Sequence, residues 1–123
     1  MSMVQQGKQG TPLTEEQTTE VKGLVSQMHM NKSMCYVKQG AWEKGIGECT
    51  KALESGASEA KCVYKRGTCY LQTGRLDKAQ EDLERAAKLS PDDPGIKKEL
   101  AQLAAKLKQS EVNAKKTFQK MFG

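Results

Sequence analysis

The sequence predicts an all-α protein built from tandem antiparallel helical hairpins, and three observations carry that reading. The stretch from Ala60 to Asp93 places Gly67 and Tyr70 three apart on one helical face, and Gly74 then breaks the helix. Ala79, Leu83 and Ala86, four and three apart, make the stripe of a second helix, which Ser90-Pro91-Asp92 stops. The same pattern recurs 34 residues upstream, where Tyr36, Gly40, Lys44 and Ala52 stand against Tyr70, Gly74, Lys78 and Ala86. Conservative pairs fill the gaps: Glu43 with Asp77, Glu48 with Asp82, and Lys51 with Arg85. The upstream copy is looser, with Gly45 for Ala79, Cys49 for Leu83 and Ala57 for Pro91. Small residues matter here because two helices approach closely only where no bulky side chain intervenes.

The chain is expected to divide into a disordered N-terminal segment over residues 1–13, two hairpin repeats with an N-terminal extension over 14–93, and a capping helix over 94–123. The repeats themselves cover about 26–59 and 60–93. Residues 1–10 are polar, carry Gly7 and Gly10, and are expected to be disordered. Thr14 followed by Gln17 fits a capping box, with Glu15 and Glu16 favourable in the first turn. The helix that follows is expected to run to about Gln39, with Gly40 as its stop and Val21, Leu24, Val25, Met28 and Cys35 as its apolar stripe. Trp42, Ile46, Cys49 and Leu53 form one face of the next helix, from Ala41 to Glu54, and close packing accounts for Gly45. The second repeat runs as a helix from Glu59 to Gln72, a turn at Thr73-Gly74, and a helix from about Leu76 to Leu89. Asp93 is an N-cap with Pro94 at the first helical position. The last helix spans about Gly95 to Met121 with a stripe of Ile96, Leu100, Leu103 and Leu107. It covers the exposed end of the second repeat, and its sparse apolar content after Ser110 predicts an end that projects into solvent.

This unit resembles a tetratricopeptide repeat, a helical hairpin of about 34 residues.

Composition narrows the function classes. A chain of 123 residues holds one small domain, and its net charge of +5 suggests an acidic partner without choosing peptide, nucleic acid or membrane. The positive excess gathers late, in Lys97, Lys98, Lys106, Lys108, Lys115, Lys116 and Lys120 against Glu99 and Glu111. No apolar run approaches the ~20 residues of a membrane helix, and no signal-peptide core is present, so a cytoplasmic, membrane-free protein is expected. Nucleic acid is disfavoured because the lysines have no interleaved aromatic platform.

The four cysteines form no C-x-x-C, and His29 is the one imidazole, so neither a metal nor any other cofactor is expected. Cys35 and Cys69 take equivalent, inward-facing places as small reduced core residues. No nucleophile motif, phosphate loop or acid–base pair is present, and no catalytic residue is assigned.

The informative side chains are the polar ones on the first helix of each repeat, which lines a concave groove. In the first repeat these are Gln27, Met30, Asn31, Met34 and Lys38; in the second they are Lys61, Tyr64, Lys65, Thr68 and Gln72. Asn31 and Lys65 are equivalent by the repeat shift, and Lys61 shares a face with Lys65 one turn away. Two ammonium groups and an amide in one groove suit a carboxylate-bearing peptide. The alternative is that all three are ordinary solvated surface residues. Met28, Met30 and Met34 serve either as an adaptable groove or as packing at the core edge. Tyr36 and Tyr70 pack between helices.

The runs Asn31-Lys32-Ser33-Met34-Cys35-Tyr36, Trp42-Glu43-Lys44, Cys49-Thr50-Lys51-Ala52-Leu53-Glu54 and Tyr64-Lys65-Arg66-Gly67, with the ending Phe118-Gln119-Lys120-Met121-Phe122, resemble the last two repeats of large immunophilins. These are FKBP-type and cyclophilin-type prolyl isomerases with a C-terminal repeat domain. The resemblance implies that the chain is a non-catalytic co-chaperone module, with any isomerase domain upstream. Its partner would be the acidic tail, Met-Glu-Glu-Val-Asp, of heat shock protein 90. Asn31 matches a clamp asparagine, Lys61 matches a clamp lysine, and Lys65 stands where the family usually has Arg, which keeps the charge but loses the bidentate fork. The family has three repeats, so this chain carries about half a clamp and reads as a fragment of a longer protein. The family also has a calmodulin site near its terminal helix, which suggests calmodulin as a second partner for the basic end. Without a preceding repeat, Val21, Leu24 and Val25 are expected to be exposed, and a homodimer through that adhesive end is a third expectation.

Overall fold

The computed structural model describes residues 12–122 as five helices: α1 (Glu15–Gln39), α2 (Trp42–Glu54), α3 (Glu59–Gln72), α4 (Leu76–Leu89) and α5 (Pro94–Phe122). Residues 1–11, within the segment expected to be disordered, lie outside the described residues. Each helix packs on its neighbours in sequence, and α3 makes smaller contacts with α1 and α5. This is the arrangement of two stacked hairpins closed by a capping helix.

Local chemistry sets the helix ends. Thr14 Oγ1 accepts the Gln17 N–H at 3.1 Å while Gln17 Oε1 accepts the Thr14 N–H at 3.1 Å, which closes the capping box. Gly40 and Gly74 adopt φ of +75° and +80°, the left-handed conformation that terminates the first helix of each hairpin. Asp93 Oδ1 accepts the Gly95 N–H at 2.8 Å and starts α5.

The core sits around the second hairpin. Leu71, Ala79, Leu83 and Leu103 form one cluster, and Val63, Ala86 and Ile96 form another. Ile96, Leu100, Leu103 and Leu107 bring α5 down on α4, and every described residue beyond Ser110 is exposed. Gly67 is where α3 and α4 meet most closely: a Cβ there would lie 2.8 Å from Leu83 Cγ. Gly45 does the same between hairpins, since its Cβ would lie 3.2 Å from Cys69 Sγ.

Helix α1 departs from expectation. Its buried face is Ser26 and Ser33 flanked by half-buried Met30 and Val37, spaced four, three and four. The serine hydroxyls donate to the carbonyls of Gly23 at 3.0 Å and Met30 at 2.7 Å, so small polar side chains line a close helix contact without loss of hydrogen bonds. Val21, Leu24, Met28 and Cys35 point away from it and are exposed. Val25 is half-buried rather than exposed, because it neighbours Ser26 at the edge of the buried face. Cys35 is exposed although its repeat equivalent Cys69 is buried, a correction to the expected inward place. The reason is that α2 lies across Cys69, whereas among the described residues no helix lies across Cys35.

Candidate functional site

Helices α1 and α3 lie side by side and frame a hollow of about 300 Å³. Gln27, Met30, Asn31 and Met34 form its α1 wall, and Ser58 and Lys61 stand opposite at the start of α3. The spacing 27, 30, 31, 34 is one helical stripe, and it lies beside the serine-lined face that docks on α2. Met30 Sδ accepts the Cys62 thiol at 3.5 Å, which fixes the α1 wall against α3. Asn31 and Lys61 are both exposed at the rim, so an amide and an ammonium are available to a ligand. Among the described residues neither Lys61 nor Lys65 forms an ion pair.

The remaining expected site residues stand elsewhere. Lys65 is half-buried one turn beyond Lys61, with Nζ 5.5 Å from the centroid of the Tyr64 ring, and it does not line the hollow. Tyr64 is a correction: it packs against both core clusters and against the start of α5, where a Cβ on Gly95 would come within 2.5 Å of its hydroxyl. Burial, with the nearby Glu99 and Asp93 carboxylates, pushes the Tyr64 phenol up. Thr68 donates its hydroxyl to the Tyr64 carbonyl at 3.1 Å and so serves its own helix. Lys38 is exposed in the last turn of α1, outside the hollow.

Two polar side-chain contacts outside the hollow were not anticipated. Arg66 on α3 forms a bidentate pair with Asp82 on α4 at 2.7 and 2.9 Å, and its Nη1 donates to Thr50 Oγ1 on α2 at 3.2 Å. The bond to Asp82 pushes the Arg66 guanidinium up, so it stays charged while mostly buried. In the first repeat, Glu48 on α2 faces His29 on α1 with Nδ1 and Oε1 2.6 Å apart, and the ring must donate because the carboxylate only accepts. That bond holds the Glu48 carboxyl below its usual range, with smaller help from Lys51 and Lys32. A sequence signal existed: opposite charges recur at the same offset in both repeats, as Lys32 with Glu48 and Arg66 with Asp82.

A stacked pair of hairpins with a lined hollow and a capping helix defines a tetratricopeptide-repeat domain, a protein-interaction module. Residues 60–93 match the model of the tetratricopeptide repeat. The chain is 30% identical over 94 residues to peptidyl-prolyl cis-trans isomerase FKBP42 of Arabidopsis thaliana, covering 76% of this chain and 26% of that protein. It is 27% identical over 109 residues to peptidyl-prolyl cis-trans isomerase FKBP4 of Homo sapiens, covering 89% and 24%. It is 29% identical over 111 residues to FK506-binding protein 59 of Drosophila melanogaster, covering 90% and 25%. Among solved structures, the C-terminal TPR-containing domain of a Plasmodium falciparum FK506-binding protein superposes with a TM-score of 0.76 at 25% identity, covering 85% of this chain and 69% of that one. The chain is therefore homologous to the C-terminal repeat region of FKBP-type immunophilins. It spans about a quarter of the length of those curated relatives. No helix of the described residues is long and apolar enough to cross a membrane.

Proposed function

We propose that the hollow between α1 and α3 receives the free C-terminus of an acidic peptide, the tail of the cytosolic chaperone heat shock protein 90, so that the chain acts as the docking module of a co-chaperone. The observation that carries this reading is the convergence of Asn31 and Lys61, from two different repeats, on one hollow with Gln27, Met30 and Met34. An amide and an ammonium pair with a carboxylate through charge-assisted hydrogen bonds, and the methionines adapt to an apolar penultimate side chain. Lys65 contributes charge to the rim rather than a direct wall.

The test is calorimetric titration with Met-Glu-Glu-Val-Asp against the same peptide amidated at its C-terminus. Binding should require the free carboxylate, weaken with salt, and fall about tenfold in Lys61→Ala, the loss of one charge-assisted bond. Equal binding of the two peptides, or none at millimolar concentration, would remove the reading. A second reading, calmodulin binding, draws on the exposed end of α5, where Phe118, Met121 and Phe122 accompany Lys115, Lys116 and Lys120. A calcium-dependent shift in native electrophoresis with calmodulin, absent in a chain ending at Ser110, would support it; an unchanged mobility would remove it.

A further inference from the structure

Helices α4 and α5 pack side by side, and their outer faces differ in charge. The exposed charges of α4 balance, with Asp77, Glu81 and Glu84 against Lys78, Arg85 and Lys88, and Arg85 pairs with Glu59 of α3. Helix α5 exposes all seven of its lysines against one exposed acid, Glu111. Its other acid, Glu99, is half-buried beside Tyr64 of α3.

Five of those lysines form a ridge. At 3.6 residues per turn, Lys97, Lys98, Lys108, Lys115 and Lys116 fall within about 100° of the helix circumference, turned away from the leucines that dock on the second hairpin. Neither acid of α5 falls within that arc, and the residues between the lysines along it are Ala101, Ala105 and Val112, all exposed. The ridge is about 28 Å long at 1.5 Å per residue. Among the described residues Lys97, Lys98, Lys108 and Lys116 form no ion pair, and Lys115 reaches Glu111 at 3.7 Å with both side chains largely in solvent. Like charges held in a row on one helix raise the local potential and attract an anionic chain.

Shape selects among acidic partners. A bilayer takes up an amphipathic helix by its apolar stripe, and here that stripe of Ile96, Leu100, Leu103 and Leu107 is already packed against the second hairpin. Duplex DNA presents two phosphate rails about 12 Å apart across its major groove, whereas these lysines stand in a single file. One extended polypeptide matches a single file. At about 3.3 Å per residue, roughly eight residues follow the ridge, and the alanines leave room for their backbone.

We infer that the outer face of α5 docks an extended acidic segment of a partner protein, a run of Asp and Glu of about eight residues or more. The surface is separate from the hollow between α1 and α3 and needs no free C-terminus, so it goes beyond the peptide-docking reading and is tested apart from it.

The test is calorimetric titration of the full chain with decaglutamate, acetylated and amidated so that neither end is charged. At low salt the peptide should bind, and Lys97→Gln/Lys98→Gln/Lys108→Gln should weaken binding about tenfold or more. Removing the same charge elsewhere, in Lys22→Gln/Lys78→Gln/Lys88→Gln, should weaken it by less than about threefold, and Lys61→Ala by less than about twofold. All the substituted lysines of the two triple variants are exposed, so circular dichroism should show unchanged helix content. Equal weakening by the two triple variants would reduce the effect to net charge and overturn the proposal, as would no binding at millimolar peptide. Tighter binding at the same salt to phosphatidylserine vesicles, or to a short DNA duplex, would overturn it in favour of that surface.

Discussion

The two hairpins share one design and solve its closest contact in opposite ways. In the second, Gly67 makes room for Leu83, which is fully buried; in the first, the same two places hold Ser33 and Cys49. One large side chain against a glycine fills the contact in the second hairpin, and two small side chains share it in the first, so both residue types change together. The charged contact behind it also differs. Asp82 holds a bidentate guanidinium, while Glu48 holds a single imidazole nitrogen. A repeat can therefore depart from its signature at its closest helix contact and keep its fold, provided that the departures are paired.

The largest test of that comparison is truncation of the two facing residues. Leu83→Ala should lower the stability measured by urea unfolding by about 3 kcal/mol, and Cys49→Ala by about 1 kcal/mol, because less volume is lost. Gly67→Ser should cost about 2 kcal/mol by overpacking, and most of that should return in Gly67→Ser/Leu83→Cys, which installs the pair of the first repeat. Additive costs in the double variant would break the idea of paired exchange.

The polar contacts behind them should rank the same way. Arg66→Met strands a buried Asp82 and should cost about 3 kcal/mol, while His29→Leu removes one hydrogen bond and should cost about 1 kcal/mol. They should also differ in pH dependence. The Glu48 carboxyl is held low in the folded state, so its contribution is complete above the unfolded carboxylate value of about 4.3 and is lost as pH falls through the lower folded value. His29→Leu should flatten the loss of stability with acid in that window, and an unchanged slope would refute the assignment.

The smallest effect concerns the thiols. Cys35 is exposed, while burial pushes the Cys69 thiol up to about 12 and raises Cys49 and Cys62 as well. Iodoacetamide should label Cys35 quickly and the other three only on unfolding, as read by mass spectrometry. Rapid labelling of Cys69 would mean that α2 does not stay across it.

Most helix limits were legible because they rest on local chemistry: a capping box at Thr14, glycine at 40 and 74, and Asp93 before Pro94. The stripe of α5 was legible because its leucines are both apolar and buried. Helix α1 was not, because its buried face is serine, methionine and valine while its larger apolar residues point outward. Burial there follows from close approach rather than from hydrophobicity, and spacing alone ranks the wrong face first. In the groove, Asn31 and Lys61 fell together because both sit on repeat-equivalent helices. Tyr64 was misplaced because nothing local shows that α5 folds back onto it.

The reach of Arg66 has a further consequence. One guanidinium on α3 binds α4 within its own repeat and α2 in the preceding one. In a stacked array the cooperativity of unfolding depends on the coupling between neighbours relative to the stability within each unit. A side chain that belongs to both quantities ties them together, so loosening the second hairpin also uncouples the first. The two repeats are then expected to melt as one body, read as coincident thermal transitions by far-ultraviolet circular dichroism and Trp42 fluorescence.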